Sequence, residues 1–168
     1  VAQEEGKENE QSEQPRQGGG VNGILFAPDV FVWNEARKLV SDRNTRVEDL
    51  ATCASQDPSI VIELIKTANA LYFSVGKSPI TSVKTALVRL GSDVVLEIFD
   101  KLKERQQLEN EKLREYLEIQ RSRCKRISLI ARMLAEALTR TMSDDCHTAG
   151  LLSGVGDMLA VAHLKDQY

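Results

Sequence analysis

Apolar residues first recur with a helical period at Val30, Trp33, Ala36, Leu39 and Val40, a spacing that buries one face of a helix. Pro28–Asp29 stands just ahead of this run and reads as its start. A second run, Leu50, Ala51 and Ala54, follows Thr45-Arg-Val-Glu48, a capping-box pattern with Thr45 as N-cap and Glu48 three residues on. A third, Ile60, Val61, Leu64, Ile65 and Ala68, follows Asp57–Pro58. There an N-cap carboxylate precedes a proline at the first helical position, where the missing N–H has no intrahelical acceptor to lose.

The pattern breaks over Ser74-Val-Gly-Lys-Ser-Pro79 and resumes after Ser82, which can cap a short helix through Leu87 and Leu90 that Gly91 closes. Ser92 can open the next, with Val94, Val95, Ile98 and Phe99 as its buried stripe. Residues 103–112, KERQQLENEK, are nearly all polar and fit a solvated helix or a helix–loop. Beyond them Leu113, Tyr116, Leu117, Ile127, Ile130, Ala131, Leu134 and Leu138 predict one more buried stripe. A last helix, capped near Ser143 or Asp144, runs into Ala149–Ala160, AGLLSGVGDMLA. Strand alternation is scarce, so the expected fold is all-α, a compact bundle of about seven or eight helices.

Composition refines this picture. The chain has 168 residues, 42% apolar and 28% charged, enough for one ordinary domain. Aromatics make up only 5%, so Leu, Ile, Val and Ala must fill the core. Residues 1–22 are predicted to be a flexible acidic tail or linker, and residues 23–168 one helical domain. Residues 1–20 hold five glutamates against Lys7 and Arg16 and carry the whole net charge of −3. They lack the apolar anchors that would offset the entropy of ordering them. The balanced remainder has no global electrostatic attraction to nucleic acid. No apolar run approaches the roughly 20 residues of a membrane span, and the start has no secretory h-region. A first residue that is Val rather than Met suggests a fragment with an upstream domain.

The candidate chemistry is thin. Cys53, Cys124 and Cys146 are too widely spaced for a disulfide framework or a zinc site, and reduced thiols are expected. His147 and His163, the only histidines, read as a solvent-exposed cap-region residue and a residue of the terminal helix. Gly154-Val-Gly156 lacks the third glycine and the preceding strand of a dinucleotide fingerprint, and Gly76-Lys77-Ser78 lacks the first glycine of a phosphate loop. Glu63, Asp93, Glu97 and Asp100 fall opposite the apolar stripes and are expected in water. Arg121, Arg123, Lys125 and Arg126 form a basic cluster, a candidate contact for an anion or a partner. Its competing reading is a wet helix face offset by Glu111, Glu115 and Glu118.

The order of these signals resembles a known family. Asp57–Pro58, the helix LIKTANALY with Asn69 and Tyr72, Ile80-Thr-Ser82 and ALVRLG ending at Gly91 together resemble the HDOD domain. That domain is a helical output module of bacterial signalling proteins, related to the HD and HD-GYP phosphohydrolases. Catalytic relatives read roughly Gly-Leu-Leu-His-Asp-Ile-Gly-Lys where this chain has Gly150-Leu-Leu-Ser153-Gly154-Val-Gly156-Asp157. The resemblance therefore places Ser153 and Gly154 on the metal-binding His–Asp pair, and no histidine stands near Arg126–Ile127, where an upstream ligand is expected. A hydroxyl and a bare Gly do not replace an imidazole and a carboxylate on a divalent metal.

The resemblance thus implies no metal, no cofactor and no catalysis. It implies a cytoplasmic regulator acting through protein–protein contact, linked to two-component or cyclic-dinucleotide signalling, with homo-oligomerisation as an option. Two other classes compete: a divergent metal-dependent phosphohydrolase or cyclic-dinucleotide phosphodiesterase, and a nucleotide or nucleic-acid binding module centred on residues 121–126. Family members usually continue past this motif, so a chain ending at Tyr168 implies either absent C-terminal helices or a shortened variant whose exposed core needs a partner.

Overall fold

The computed structural model describes residues 26–73, 78–105, 111–139 and 141–164, with the side chains of 71–73, 105 and 164 outside that description. The predicted tail, residues 74–77 of the predicted loop, residues 106–110 of the polar stretch 103–112 and the Tyr72 side chain therefore lie outside the described residues. Those described form helices joined by short links, with no strand among them.

Helix α1, Val30–Ser41, starts where Asp29 accepts hydrogen bonds from the amides of Phe31 at 2.9 Å and Val32 at 3.0 Å. These satisfy two of the N–H groups that a helix start leaves without partners. Its inward face carries Val32, Trp33, Ala36 and Val40. The Trp33 indole donates to the Phe99 carbonyl at 2.9 Å, and the two rings meet tilted, 6.5 Å apart. Burying an indole is favourable once its N–H has an acceptor.

Helix α2, Val47–Ala54, corrects one expectation. Its N-cap is Arg46, with no side-chain cap, so Thr45 and Glu48 do not form a capping box. The cause is tertiary. Glu48 reaches across to Lys84 at 2.6 Å, and that ammonium holds the carboxylate below its usual range.

Helix α3, Pro58–Phe73, begins at the predicted Asp57 cap, and α4, Val83–Arg105, at Ser82, whose hydroxyl accepts from the Thr85 amide at 3.3 Å. Gly91 interrupts α4 at φ 71°, ψ 166°, a conformation open essentially to glycine alone. It turns Val95, Ile98, Phe99 and Leu102 onto the core already lined by Ile60, Val61, Leu64, Ala86 and Leu87.

Helix α5, Glu111–Leu138, is the longest. Helix α6, Ser143–Leu152, starts behind Met142 without a side-chain cap, so neither Ser143 nor Asp144 fills that role, and α7, Val155–Leu164, follows a turn at Ser153–Gly154. No helix among the described residues is long and apolar enough to cross a membrane.

Candidate functional site

The family-motif residues prove to be joints. Asp57 is fully buried. Its Oδ1 accepts from the Ser59 amide at 2.8 Å, the Ser59 hydroxyl at 2.6 Å and the Ile60 amide at 3.3 Å, which caps α3. Its Oδ2 accepts from the Asp29 amide at 2.9 Å and lies 3.2 Å from Arg121 Nε. Arg121 in turn donates to the Ala27 carbonyl and stacks over Phe26, 5.7 Å from the ring centre. One carboxylate thus links the starts of α1 and α3 to the middle of α5. Pro58 and Ser59 are buried beside it. Asn69 clamps the other end of α3. Its side chain donates to the Ile80 carbonyl at 2.9 Å and accepts from the Ile80 amide at 2.8 Å, so it pairs like a second backbone with the segment entering α4.

The seam between α5 and α6 explains the glycines of the last motif. A Cβ on Gly150 would meet Ser128 Cα at 2.8 Å and the Ile127 carbonyl at 3.1 Å. Backbone cannot yield as a side chain can, so only glycine permits this approach. Gly154 meets Cys124 instead, its missing Cβ 2.7 Å from Sγ. Gly156 is different, being exposed with nothing within 4 Å.

The same contacts test whether these residues suit the divalent metal that the wider superfamily implies. Ser153 is exposed and its hydroxyl donates to the Gly150 carbonyl at 2.8 Å. The space where a side chain at 154 would begin is filled by a thiol. Among the described residues no group of three His, Cys, Asp or Glu side chains is arranged to hold a metal ion. The residues do not fit a metal.

The basic cluster does not act as one patch. Arg121, proposed as an anion contact, is buried at 5% exposure and committed to Asp57, which corrects that expectation. At 100° per residue, Arg123 and Arg126 lie on the outer side of α5, and both are exposed. Lys125 is half-buried and faces a groove that Lys84, Arg132 and His147 also line.

Helix α5 also overturns the predicted stripe. Its buried positions are Leu113, Leu117, Arg121, Cys124, Ser128 and Ala135. Ile130, Leu134 and Leu138, predicted as core, are 57%, 56% and 80% exposed, and Met133 beside them is 68% exposed. The large apolar residues thus face away from this core, while small and polar ones meet it. Two smaller corrections follow. Glu63, expected in water, is buried and pairs with Lys66 at 3.3 Å, and His147, expected in solvent, is half-buried with Nδ1 withdrawn from it. Asp93, Glu97 and Asp100 are exposed as expected, and His163 lies exposed on α7.

Nothing local in the sequence marked the groove residues, because Lys84 and Arg132 come from unconnected helices. The spacing of Arg121 seven residues before Ser128, on the Leu113–Leu117 side of α5, was the one usable sign that it points inward.

An all-helical frame pinned by these joints defines the class of protein. Over residues 27–168 the chain matches the model of the HDOD domain, and it belongs to that family. No curated protein sequence matches it significantly. Two crystal structures of the MmoQ response regulator from Methylococcus capsulatus str. Bath share the fold. For the fragment 20–298 the TM-score is 0.69 at 16% identity, covering 85% of this chain and 54% of that one. For the other, at 2.4 Å resolution, it is 0.61 at 22% identity, covering 83% and 55%. The chain spans about half the length of these regulators.

Proposed function

We propose that the chain is a non-catalytic regulatory domain that works by protein–protein contact, with the outer side of α5 as its contact surface. The observation that carries this reading is the solvent-facing row Ile130, Met133, Leu134 and Leu138, each more than half exposed. Contiguous apolar surface of this kind marks an interaction site. Arg123 and Arg126 continue the same side towards the start of the helix and supply a cationic end. The partner that fits is an amphipathic helix of a signalling protein, apolar along one stripe with acidic residues at the end that meets the arginines.

The non-catalytic part rests on the chemistry of Ser153 and on the thiol packed against Gly154. Family membership and the response-regulator fold support a place in signal transduction. Three free cysteines suit the reducing cytoplasm.

A photo-crosslinking residue placed at Met133 in the producing organism tests the contact, with one at the exposed Glu118 as control. A discrete product with a different protein, formed from 133 and not from 118, is expected. Products within the chain, with a second copy only, or none at all would overturn the reading. Hydrolysis of a cyclic dinucleotide by the purified protein with Mn²⁺ would overturn its non-catalytic half.

A further inference from the structure

We propose that the groove between α2 and the α5–α6 pair binds a small phosphate monoester of mononucleotide size, a site separate from the contact surface on the outer side of α5. The groove encloses about 490 Å³, within the range of small-molecule sites. Four helices line it, so its charged groups converge from segments far apart in the chain.

The charges inside do not cancel. Glu48 is matched by Lys84 at 2.6 Å, and Asp144 by Arg132 at 3.7 Å. Lys125 makes no ion pair among the described residues. His147 adds a second unsatisfied group. Its Nδ1 is out of solvent and has no hydrogen-bond partner, and in the tautomer that carries the proton there it is a donor open to a ligand oxygen. Arg132 uses Nε on Glu136 and one terminal nitrogen on Asp144, which leaves further N–H donors of its five.

Lys125, His147 and Arg132 thus present donors from both α5 and α6. A tetrahedral phosphate has three free oxygens to meet donors from several directions, and Lys125 leaves the groove lining with one positive charge in surplus to attract an anion. The other lining includes Leu129, Val83 and Ala51, an apolar wall on which the body of the ester can lie. Arg123 and Arg126 play no part, since they sit around the helix from Lys125 and do not line the groove.

Amide NMR titration of the full chain with AMP, inorganic phosphate and adenosine tests the site. AMP should give saturable shifts at Lys125, Ser128 and His147, phosphate weaker shifts at the same amides, and adenosine none. Lys125→Ala should weaken AMP by about tenfold or more, the scale of one charged hydrogen bond, while Arg126→Ala leaves it within about twofold. The Lys125 side chain makes no described hydrogen bond or ion pair, and its carbonyl, which accepts from the Ser128 hydroxyl, is kept in the variant, so the wild-type spectrum should persist elsewhere. Absence of saturation by about 10 mM AMP, equal binding of adenosine, or equal loss in Arg126→Ala would overturn the proposal. The titration needs no protein partner, so its failure and the failure of the α5 contact are read independently.

Discussion

Asp57 and Arg121, from the start of α3 and the middle of α5, meet at 3.2 Å with both side chains almost dry. Desolvating two charges is costly, and an isolated pair would gain little from such burial. Here the carboxylate also accepts from two amides of its own helix start, one hydroxyl and the Asp29 amide, so no lone pair is left stranded. The pair specifies where α1, α3 and α5 meet.

Breaking it from either side should therefore be expensive. Asp57→Ala removes the cap and strands the guanidinium, at a cost of about 3–5 kcal/mol in urea unfolding. Arg121→Met should cost less, because Asp57 keeps its other donors. The double variant should cost clearly less than the sum. Strict additivity would mean that the two residues are not coupled.

The glycines should separate into kinds. Gly150→Ala drives a Cβ into the α5 backbone and should lower stability by about 1–3 kcal/mol, as overpacking does. Gly91→Ala has open space but an unsuitable backbone, and a loss of about 1–3 kcal/mol is expected from strain alone. Gly156→Ala meets nothing and should be neutral or stabilising by up to about 1 kcal/mol. Thermal unfolding of the three variants side by side checks the order.

Burial pushes the thiols of Cys53 and Cys124 above the ordinary value of 9.0. Both should resist iodoacetamide at neutral pH while the half-buried Cys146 reacts first. A raised thiol pKa in the folded chain means that the unfolded chain loses its proton at lower pH. The associated stability is therefore complete below about pH 9 and declines as pH rises through the folded values. Replacing both residues by Ala should flatten that alkaline decline, measured by urea titration from pH 8 upwards.

Charge on the outer side of α5 should leave the fold intact. Met133→Glu with Leu134→Glu is expected to change stability by no more than about 0.5 kcal/mol per site, because both side chains are already in water. The same variant should abolish the crosslinked product formed from a neighbouring position on that face, such as Ile130. A large loss of stability would show that the face is packed in the native protein.

The helical class, the helix start at Asp29, the Asp57 and Ser82 caps and the break at Gly91 were legible because each depends on residues within one turn of itself. Asn69 and Gly150 were legible as motif positions but not as a loop clamp and a helix seam. Their partners, Ile80 and Ser128, lie in other segments. The groove was invisible for the same reason, since Lys84, Lys125 and His147 share no local pattern.

Local spacing could state that α5 is a helix with apolar residues at helical intervals, but it could not state which side of that helix the rest of the chain would cover. The sequence offers two stripes, one of Leu113 and Leu117 continuing through Arg121, Cys124 and Ser128, the other of Ile130, Leu134 and Leu138. Hydrophobicity favours the second. Tertiary packing chose the first, because Gly150 and Gly154 let α6 and the turn after it approach only where α5 presents small side chains, and because Arg121 finds a carboxylate there. Periodicity is a property of one segment, and burial is a property of the segments that pack against it.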